Sequence, residues 1–410
     1  MILKMEYKLS HFNYVVKKKD GVLVYNTLYN SLTRLSNEEN IHLNDLHNCP
    51  AELLKGLIDQ GIAIESFIDE VDLYNKYIKL AAKYYTAKPN ITVTPTMECN
   101  ARCFYCYEED VRHGKMKDEA IPRIIDVIKK LDASKGINLT WFGGEPLLNQ
   151  DWMDHFSDEL RKEKIPFSSF IISNGSKIDQ NVVDKMKNNW NITSIQITFD
   201  GSNDEYSKRK KYVDQDDNKV FYEMLQRVKL LSKNGIAVQI RLNIDKQNMD
   251  SIIEVARDIQ YLFSNNENVT YYPAFLTGRD DKLSEDEKLD VVMKLIDIDK
   301  NNKIPINSYL YKQPKAGACF YNQKGAISID TDGNIFTCER KLGHAENAVG
   351  NIYADSALEN DVRVLAGQRK ECQNCIFLPK CMGGCNDAYE NSEIPCFIDK
   401  YLIKAYLDLL

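Results

Sequence analysis

The sequence predicts an α/β protein in which parallel strands, with helices outside them, lie between a small mixed module and a cysteine-rich segment. Three observations carry this. From Ile91 to Phe275 one theme recurs six times, a short β-rich run followed by an amphipathic helical pattern, as βα units require. Residues before about 85 instead show strand-like alternation followed by small helices. Beyond about 305, long periodic runs give way to turn residues and seven cysteines, so ligated metal is expected to replace much of a core. The predicted domains are 1–85, 86–305 and 306–410.

In chain order, residues 10–35 alternate as short strands, with Phe12, Tyr14 and Val16 on one face, a Lys19-Asp20-Gly21 turn, then Val22 and Val24. A helix follows from Pro50 to Gln60, closed by Gly61, and a charged helix runs from Glu70 to Tyr85 before the linker Thr86-Ala87-Lys88-Pro89. The six β-rich runs are ITVTPT at 91, INLTWF at 137, FSSFIIS at 167, TSIQITF at 193, IAVQIRLNI at 236 and VTYYPAF at 269. Between them, Ile121, Ile124, Ile125, Ile128 and Leu131 mark one helix, with Asp118 as its N-cap. Phe221, Met224, Leu225, Val228 and Leu231 mark another, closed by Asn234-Gly235. A further helix is expected at about 283–299. Right-handed βαβ connections build either an open doubly wound sheet or a curved partial barrel, and periodicity does not choose.

At 410 residues the chain is long for one core. A formal charge of −7 and a pI near 5.6 argue against nucleic-acid binding, which needs a dense cationic face. Lys17 to Lys19 and Lys208 to Lys211 read as solvated surface. The N-terminus alternates apolar and polar residues, and no stretch approaches membrane-spanning length, which points to the cytoplasm and to no membrane partner. Of the 11 cysteines only Cys49 stands alone, read as a buried or half-buried thiol. In so large a chain tight cysteine spacings point to metal ligation more than to disulfides.

Residues 96–109, TMECNARCFYCYEE, place Cys99, Cys103 and Cys106 on one loop as C-x3-C-x2-C. A [4Fe–4S] cluster has four irons, each wanting an outside ligand. Three thiolates leave one iron open for something else; a zinc site, or completion by a distant fourth cysteine, is the alternative. The loop follows the first strand, at the end of the sheet where α/β folds place their sites.

The C-x3-C-F-Y-C motif resembles the signature of radical S-adenosylmethionine (SAM) enzymes, and the resemblance extends over 91–275. It implies a partial (β/α)6 barrel and a [4Fe–4S] cluster whose open iron takes SAM, reductively split to a 5′-deoxyadenosyl radical. It places Tyr105 against the adenine, chiefly through its backbone. Gly143-Gly144-Glu145 matches the motif that takes the SAM ammonium: the glycines permit close approach and the carboxylate complements a cation. Ser173 and Asn174 correspond to ribose and carboxylate contacts, Gln196 to Gly201 to the end of the fourth strand, and Arg241 to a SAM carboxylate contact. Tyr206 departs from the family, where histidine is common.

The tail reads Cys319-x13-Gly333-x4-Cys338, then Cys372-x2-Cys375-x5-Cys381-x3-Cys385, then Cys396. It resembles the SPASM domain of radical SAM enzymes that modify peptides and proteins. The resemblance implies two auxiliary [4Fe–4S] clusters, three in all. Cys372, Cys375, Cys381 and Cys396 would hold one; Cys319, Cys338 and Cys385 would hold the other, one ligand short. An Asp, a water, Cys49 or a substrate thiolate would fill the fourth place. Glu339 stands where sulfatase-maturing relatives carry Asp as proton acceptor, and is a catalytic base candidate. Residues 1–85 resemble the winged-helix-like recognition element that binds a leader peptide as an added strand. The function implied is maturation of a ribosomally made precursor peptide, by a thioether between cysteine and carbon, with flavodoxin or ferredoxin as electron donor. Carbon–carbon crosslinking and formylglycine formation on a sulfatase are the alternatives.

Overall fold

The computed structural model describes residues 6–84, 88–111, 114–131, 133–213, 219–276, 283–306, 310, 325–354, 369–387, 396 and 398–410. The chain divides into two compact units. One comprises Met1–Tyr85, Ile306–Asn322 and Arg363–Leu410; the other comprises Thr86–Pro305 and Gln323–Val362. The segment 306–410 is therefore shared between them.

In the first unit, β1 (Tyr7–Leu9) pairs antiparallel with β5 (Ala63–Glu65), while β2 (Asn13–Lys18), β3 (Gly21–Asn26) and β4 (Ser31–Ser36) form an antiparallel meander. β3 is buried along its whole length because both faces are covered. Val22 and Val24 pack with Leu35, Leu43 and Leu57. Leu23 and Tyr25, on the opposite face, pack with Phe377, Ile403 and Leu407, and Tyr14 and Val16 join them. Phe12, expected beside Tyr14 and Val16, instead precedes β2 and packs against Tyr74 and Ile78. After α1 (Asn37–Ile41), α2 (Ala51–Asp59) ends as the sequence suggests. Gly61 has φ +67°, its N–H donates to Ile58 O at 2.9 Å, and Ile62 N–H donates to Leu57 O at 2.8 Å. Then comes α3 (Glu70–Tyr84).

In the second unit, all six expected β-rich runs are strands: β6 (Asn90–Thr96), β7 (Ile137–Gly143), β8 (Phe167–Ser173), β9 (Ile192–Phe199), β10 (Ala237–Ile244) and β11 (Val269–Phe275). β12 (Ala326–Ile329) adds parallel to β6, and β13 (Asn334–Phe336) and β14 (Gly350–Asn351) follow antiparallel. The spatial order is β11-β10-β9-β8-β7-β6-β12-β13-β14. From β6 to β11 sequence neighbours are spatial neighbours, with no reversal. Repeated right-handed crossovers then put the helices on one face, the winding of a barrel and not of a doubly wound sheet.

The intervening helices are α4 (Ala120–Lys130), α5 (Gln150–Lys162), α6 (Gln180–Asn188), α7 (Asn203–Lys210), α8 (Val220–Lys233) and α9 (Met249–Phe263), followed by α10 (Glu285–Ile298). α4 buries the predicted Ile121, Ile124, Ile125 and Ile128, but Asp118 is not its cap. The Asp118 carboxylate pairs with His155 Nδ1 at 2.9 Å and the helix begins two residues later. No described helix is long and apolar enough to cross a membrane.

Candidate functional site

The C-terminal ends of β6, β7, β8 and β9 deliver the singled-out residues to one place. The β6 end feeds the cysteine loop. Cys99, Cys103 and Cys106 are close enough for each of the latter two thiols to raise the pKa of Cys99, which burial chiefly pushes up to about 12. Burial also raises Cys103. Thiols so disfavoured as thiolates call for a cationic partner, and a metal deprotonates a coordinating thiol outright.

Beside the loop, Glu145 is fully buried where β7 ends. Its carboxylate accepts from Ser173 Oγ at 2.9 and 3.1 Å, from Asn174 N–H at 2.7 Å and from Leu147 N–H at 3.1 Å. Burial pushes its carboxyl up to about 7, with the Asn174 N–H and the Ser173 hydroxyl opposing. Asn174 in turn donates to Asn100 Oδ1 at 2.9 Å and lies 3.8 Å from Cys99 Sγ. The β7 and β8 ends are thus tied directly to the cysteine loop. Gly144 cannot carry a side chain: a Cβ would stand 2.4 Å from Glu98 O and 2.5 Å from Met97 O. Gly143, at φ +108°, would drive one to 2.4 Å from Thr94 Cγ2.

A second network lies beneath the aromatic pair of the motif, and part of it corrects the sequence reading. Lys208 and Lys211 are exposed, as expected of solvated surface, but Arg209 and Lys210 between them are 4% and 3% exposed. Lys210 Nζ lies 3.0 Å from both Asp200 Oδ2 and the Tyr105 hydroxyl. Tyr105 donates to Asp200 at 2.8 Å, and Asn243 holds the other carboxylate oxygen at 2.9 Å. Burial works against the Lys210 ammonium, but Asp200 more than offsets it and holds its pKa well above the ordinary value. Arg209 is bidentate to Asp245 at 2.8 and 2.6 Å and lies 4.9 Å from the Phe104 ring centre. The Lys210 carbonyl accepts from Arg102 N–H at 2.9 Å, so the end of α7 clamps the loop by backbone too. Buried acidic partners, Asp200 for Lys210 and Asp245 for Arg209, set these two cations apart from their neighbours. Tyr206 is wholly buried against Phe199 and Phe221.

The inner face of the sheet is polar where it approaches this site. Arg241 donates through Nε to Asn243 Oδ1 at 2.9 Å, and its terminal nitrogens make no hydrogen bond among the described residues. Tyr272 donates to Gln196 at 2.6 Å. Glu339, reached by the expected register after Cys338, accepts from Thr92 on β6 at 2.7 Å, and burial raises its pKa. Arg340 stands 5.6 Å from the ring of Tyr107, which is 43% exposed although it follows the cysteine motif directly.

Of the tail cysteines, Cys372, Cys375, Cys381, Cys385 and Cys396 lie in the first unit, Cys338 in the second, and Cys319 outside the described residues. Cys375 and Cys396 both act on Cys372, whose pKa burial raises, so these three are neighbours. Arg369 ties this segment together by donating to Gly383 O and Asn386 Oδ1. Cys49 is half-buried against Leu35, Leu57 and their neighbours. Among the described residues no three His, Cys, Asp or Glu side chains are gathered closely enough to hold a single metal ion. A four-iron cluster instead spreads its thiolates over separate corners.

Three mutually interacting half-buried thiols, a cradle that a Cβ would fill, a buried carboxylate and a guanidinium held through its Nε alone together fit a cluster with an amino-acid-like cosubstrate. Residues 93–259 match the radical SAM superfamily, a class of enzymes defined by a [4Fe–4S] cluster and SAM. Over 416 aligned residues the chain is 22% identical to the radical SAM cyclopropyl synthase TigE of Paramaledivibacter caminithermalis, covering 92% of this chain and 82% of the relative. Native anSMEcpe with bound AdoMet and Cp18Cys peptide matches at a TM-score of 0.56 and 16% identity, over 78% of this chain and 95% of that one. Streptococcus suis SuiB bound to precursor peptide SuiA matches at a TM-score of 0.51 and 15% identity, over 97% and 100%. At such identities the structural likeness is one of fold.

Proposed function

We propose that the chain modifies a ribosomally made precursor peptide, abstracting hydrogen from a carbon and closing a thioether between that carbon and a cysteine. The observation that carries the reading is the buried Glu145 hub tied to the three-thiol loop, on a sheet whose neighbouring strands carry the polar Arg241, Gln196 and Tyr272. When bound, the cluster and SAM supply the hydrogen-abstracting 5′-deoxyadenosyl group. Cys99, Cys103 and Cys106 would hold three irons. Glu145 would take the SAM ammonium, Arg241 its carboxylate, Ser173 and Asn174 its ribose side, and Tyr105 the adenine, with Gly143 and Gly144 allowing the approach. Two auxiliary clusters would use the tail: Cys372, Cys375, Cys381 and Cys396 for one, Cys319, Cys338 and Cys385 for the other. The last set leaves a place for the substrate thiolate, since a soft metal favours sulfur. Glu339 would be the base that takes a proton.

The leader would bind the 1–85 module as an added strand. In support, β4 is an edge of its meander, and solved structures with this fold hold peptides in their own sites. A flavodoxin or ferredoxin would deliver the electron in the cytoplasm. Carbon–carbon bond formation is the second reading, favoured by the cyclopropyl synthase relative, whose ring is made of carbon–carbon bonds.

The test is anaerobic turnover with SAM, reductant and a cysteine-containing precursor encoded beside this chain. The reading expects 5′-deoxyadenosine and a peptide lighter by two hydrogens, with one thiol lost to alkylation. Mass loss with every thiol still alkylated selects the carbon–carbon reading. Absence of both products defeats the two together.

A further inference from the structure

Resting on the peptide-maturase reading, we infer that the groove between β4 and α2 takes an extended peptide segment bearing lysine or arginine. The cleft has a volume of about 960 Å³ and is bounded by β4 on one side and by α2 on the other. Among the described residues β4 has a strand neighbour on one side only, so its outer edge offers backbone donors and acceptors in the spacing of an added strand. The floor is apolar, from Leu35 and Leu57, which are 3% and 1% exposed.

Two observations say what occupies it. The first is Gly56, in the middle of α2, where glycine is unfavourable relative to alanine and no positive φ requires it. A Cβ there would meet nothing within 4 Å, so the fold does not exclude a side chain; the helix carries a gap that opens on the cleft. The second is charge. Glu52, Gly56 and Asp59 stand at i, i+4 and i+7, one stripe along α2 facing the cleft, so the gap is flanked by carboxylates. Glu38 and Glu39 add to the same lining. None of Glu38, Glu52 and Asp59 has an ion-pair partner among the described residues. Arg34, the cation in the lining apart from His42, is already engaged by Asp20 at 3.4 Å.

An extended segment seated at Gly56 would lay the aliphatic stems of its lysines on Leu35 and Leu57 and carry the ammonium groups out to Glu52 and Asp59. Such complementarity selects partners and speeds encounter, and it weakens with salt.

Fluorescence anisotropy on the intact chain tests this with a labelled ten-residue peptide alternating lysine and leucine, against the same peptide with glutamate for lysine. The lysine peptide is expected to bind, more weakly at high salt, and the glutamate peptide at least tenfold less well. Gly56→Trp should cost more than tenfold in affinity, whereas Gly56→Ala, which adds little volume and improves the helix, should raise Tm and keep most of the binding. Glu52→Lys with Asp59→Lys should reverse the preference. Equal or better binding of the glutamate peptide, or unchanged binding in a folded Gly56→Trp variant, overturns the inference. The readout needs neither SAM nor reductant. Its failure leaves hydrogen abstraction untouched, while normal lysine-peptide binding without any 5′-deoxyadenosine would strike the functional reading alone.

Discussion

Replacing Lys210 with methionine tests whether the end of α7 holds the cysteine loop in place. The change keeps the length of the side chain but strips the ammonium from Asp200, which is fully buried. Truncating one partner of a buried ion pair costs roughly 3–5 kcal/mol, because the other charge is left uncompensated. Asp200 would retain the Tyr105 hydroxyl at 2.8 Å and the Asn243 amide at 2.9 Å, which places the effect at the lower end, about 3 kcal/mol. At about 2–4 °C per kcal/mol for a unit of this size, the melting transition should fall by roughly 6–12 °C. The assay is calorimetry of the anaerobic chain at matched iron content, with a double-mutant cycle. Asp200→Asn added to Lys210→Met should recover about half the loss or more, since no lone charge remains. A Lys210→Met transition within about 2 °C of the parent, or strictly additive losses in the cycle, would refute the clamp.

Other outcomes follow from the same geometry. In the ligand-free chain Glu145 titrates near 7 when folded against 4.5 for an ordinary solvated glutamate, so the folded chain holds a proton between those values that the unfolded one has lost. Its contribution to stability is therefore complete below about 4.5 and declines as pH rises to about 7, while SAM affinity, which needs the carboxylate, should strengthen over the upper part of that range. Glu145→Gln should flatten both profiles, measured by chemical denaturation and by isothermal titration. Gly144→Ala should lower SAM affinity more than tenfold, because the intruding Cβ faces backbone carbonyls that cannot step aside. Cys103→Ala should abolish 5′-deoxyadenosine formation, whereas Cys385→Ala should retain part of it and lose the peptide product; equal loss in both would mean the clusters are not separable in function.

The sequence made the strands of the second unit legible because each is a short β-rich run, most of them followed directly by glycine, asparagine or aspartate at the C-terminal end of the sheet. The cysteine loop and Glu145 were legible for the same reason: their partners lie at neighbouring strand ends, in the order the chain delivers them. Strand order was not, since periodicity reports which face is buried but not which strand is beside which. Arg209 and Lys210 escaped because a basic run looks solvated until Asp245 and Asp200, fixed by the fold, are brought against it. Asp118 looked like a cap by residue type, but a histidine 37 residues away holds its carboxylate. The tail shows the opposite limit. Its spacings are specific, yet Cys338 and Cys385 fall in different compact units, a division that the spacing does not announce.

The central claim is that the loop at Cys99, Cys103 and Cys106 presents an iron that no side chain ligates and that SAM occupies. Electron paramagnetic resonance of the reduced protein, in a variant whose tail cysteines are all replaced by alanine, isolates that cluster. The account predicts a [4Fe–4S] signal whose shape shifts when SAM is added. A signal indifferent to SAM, or no iron–sulfur signal at all in a folded variant, would contradict it.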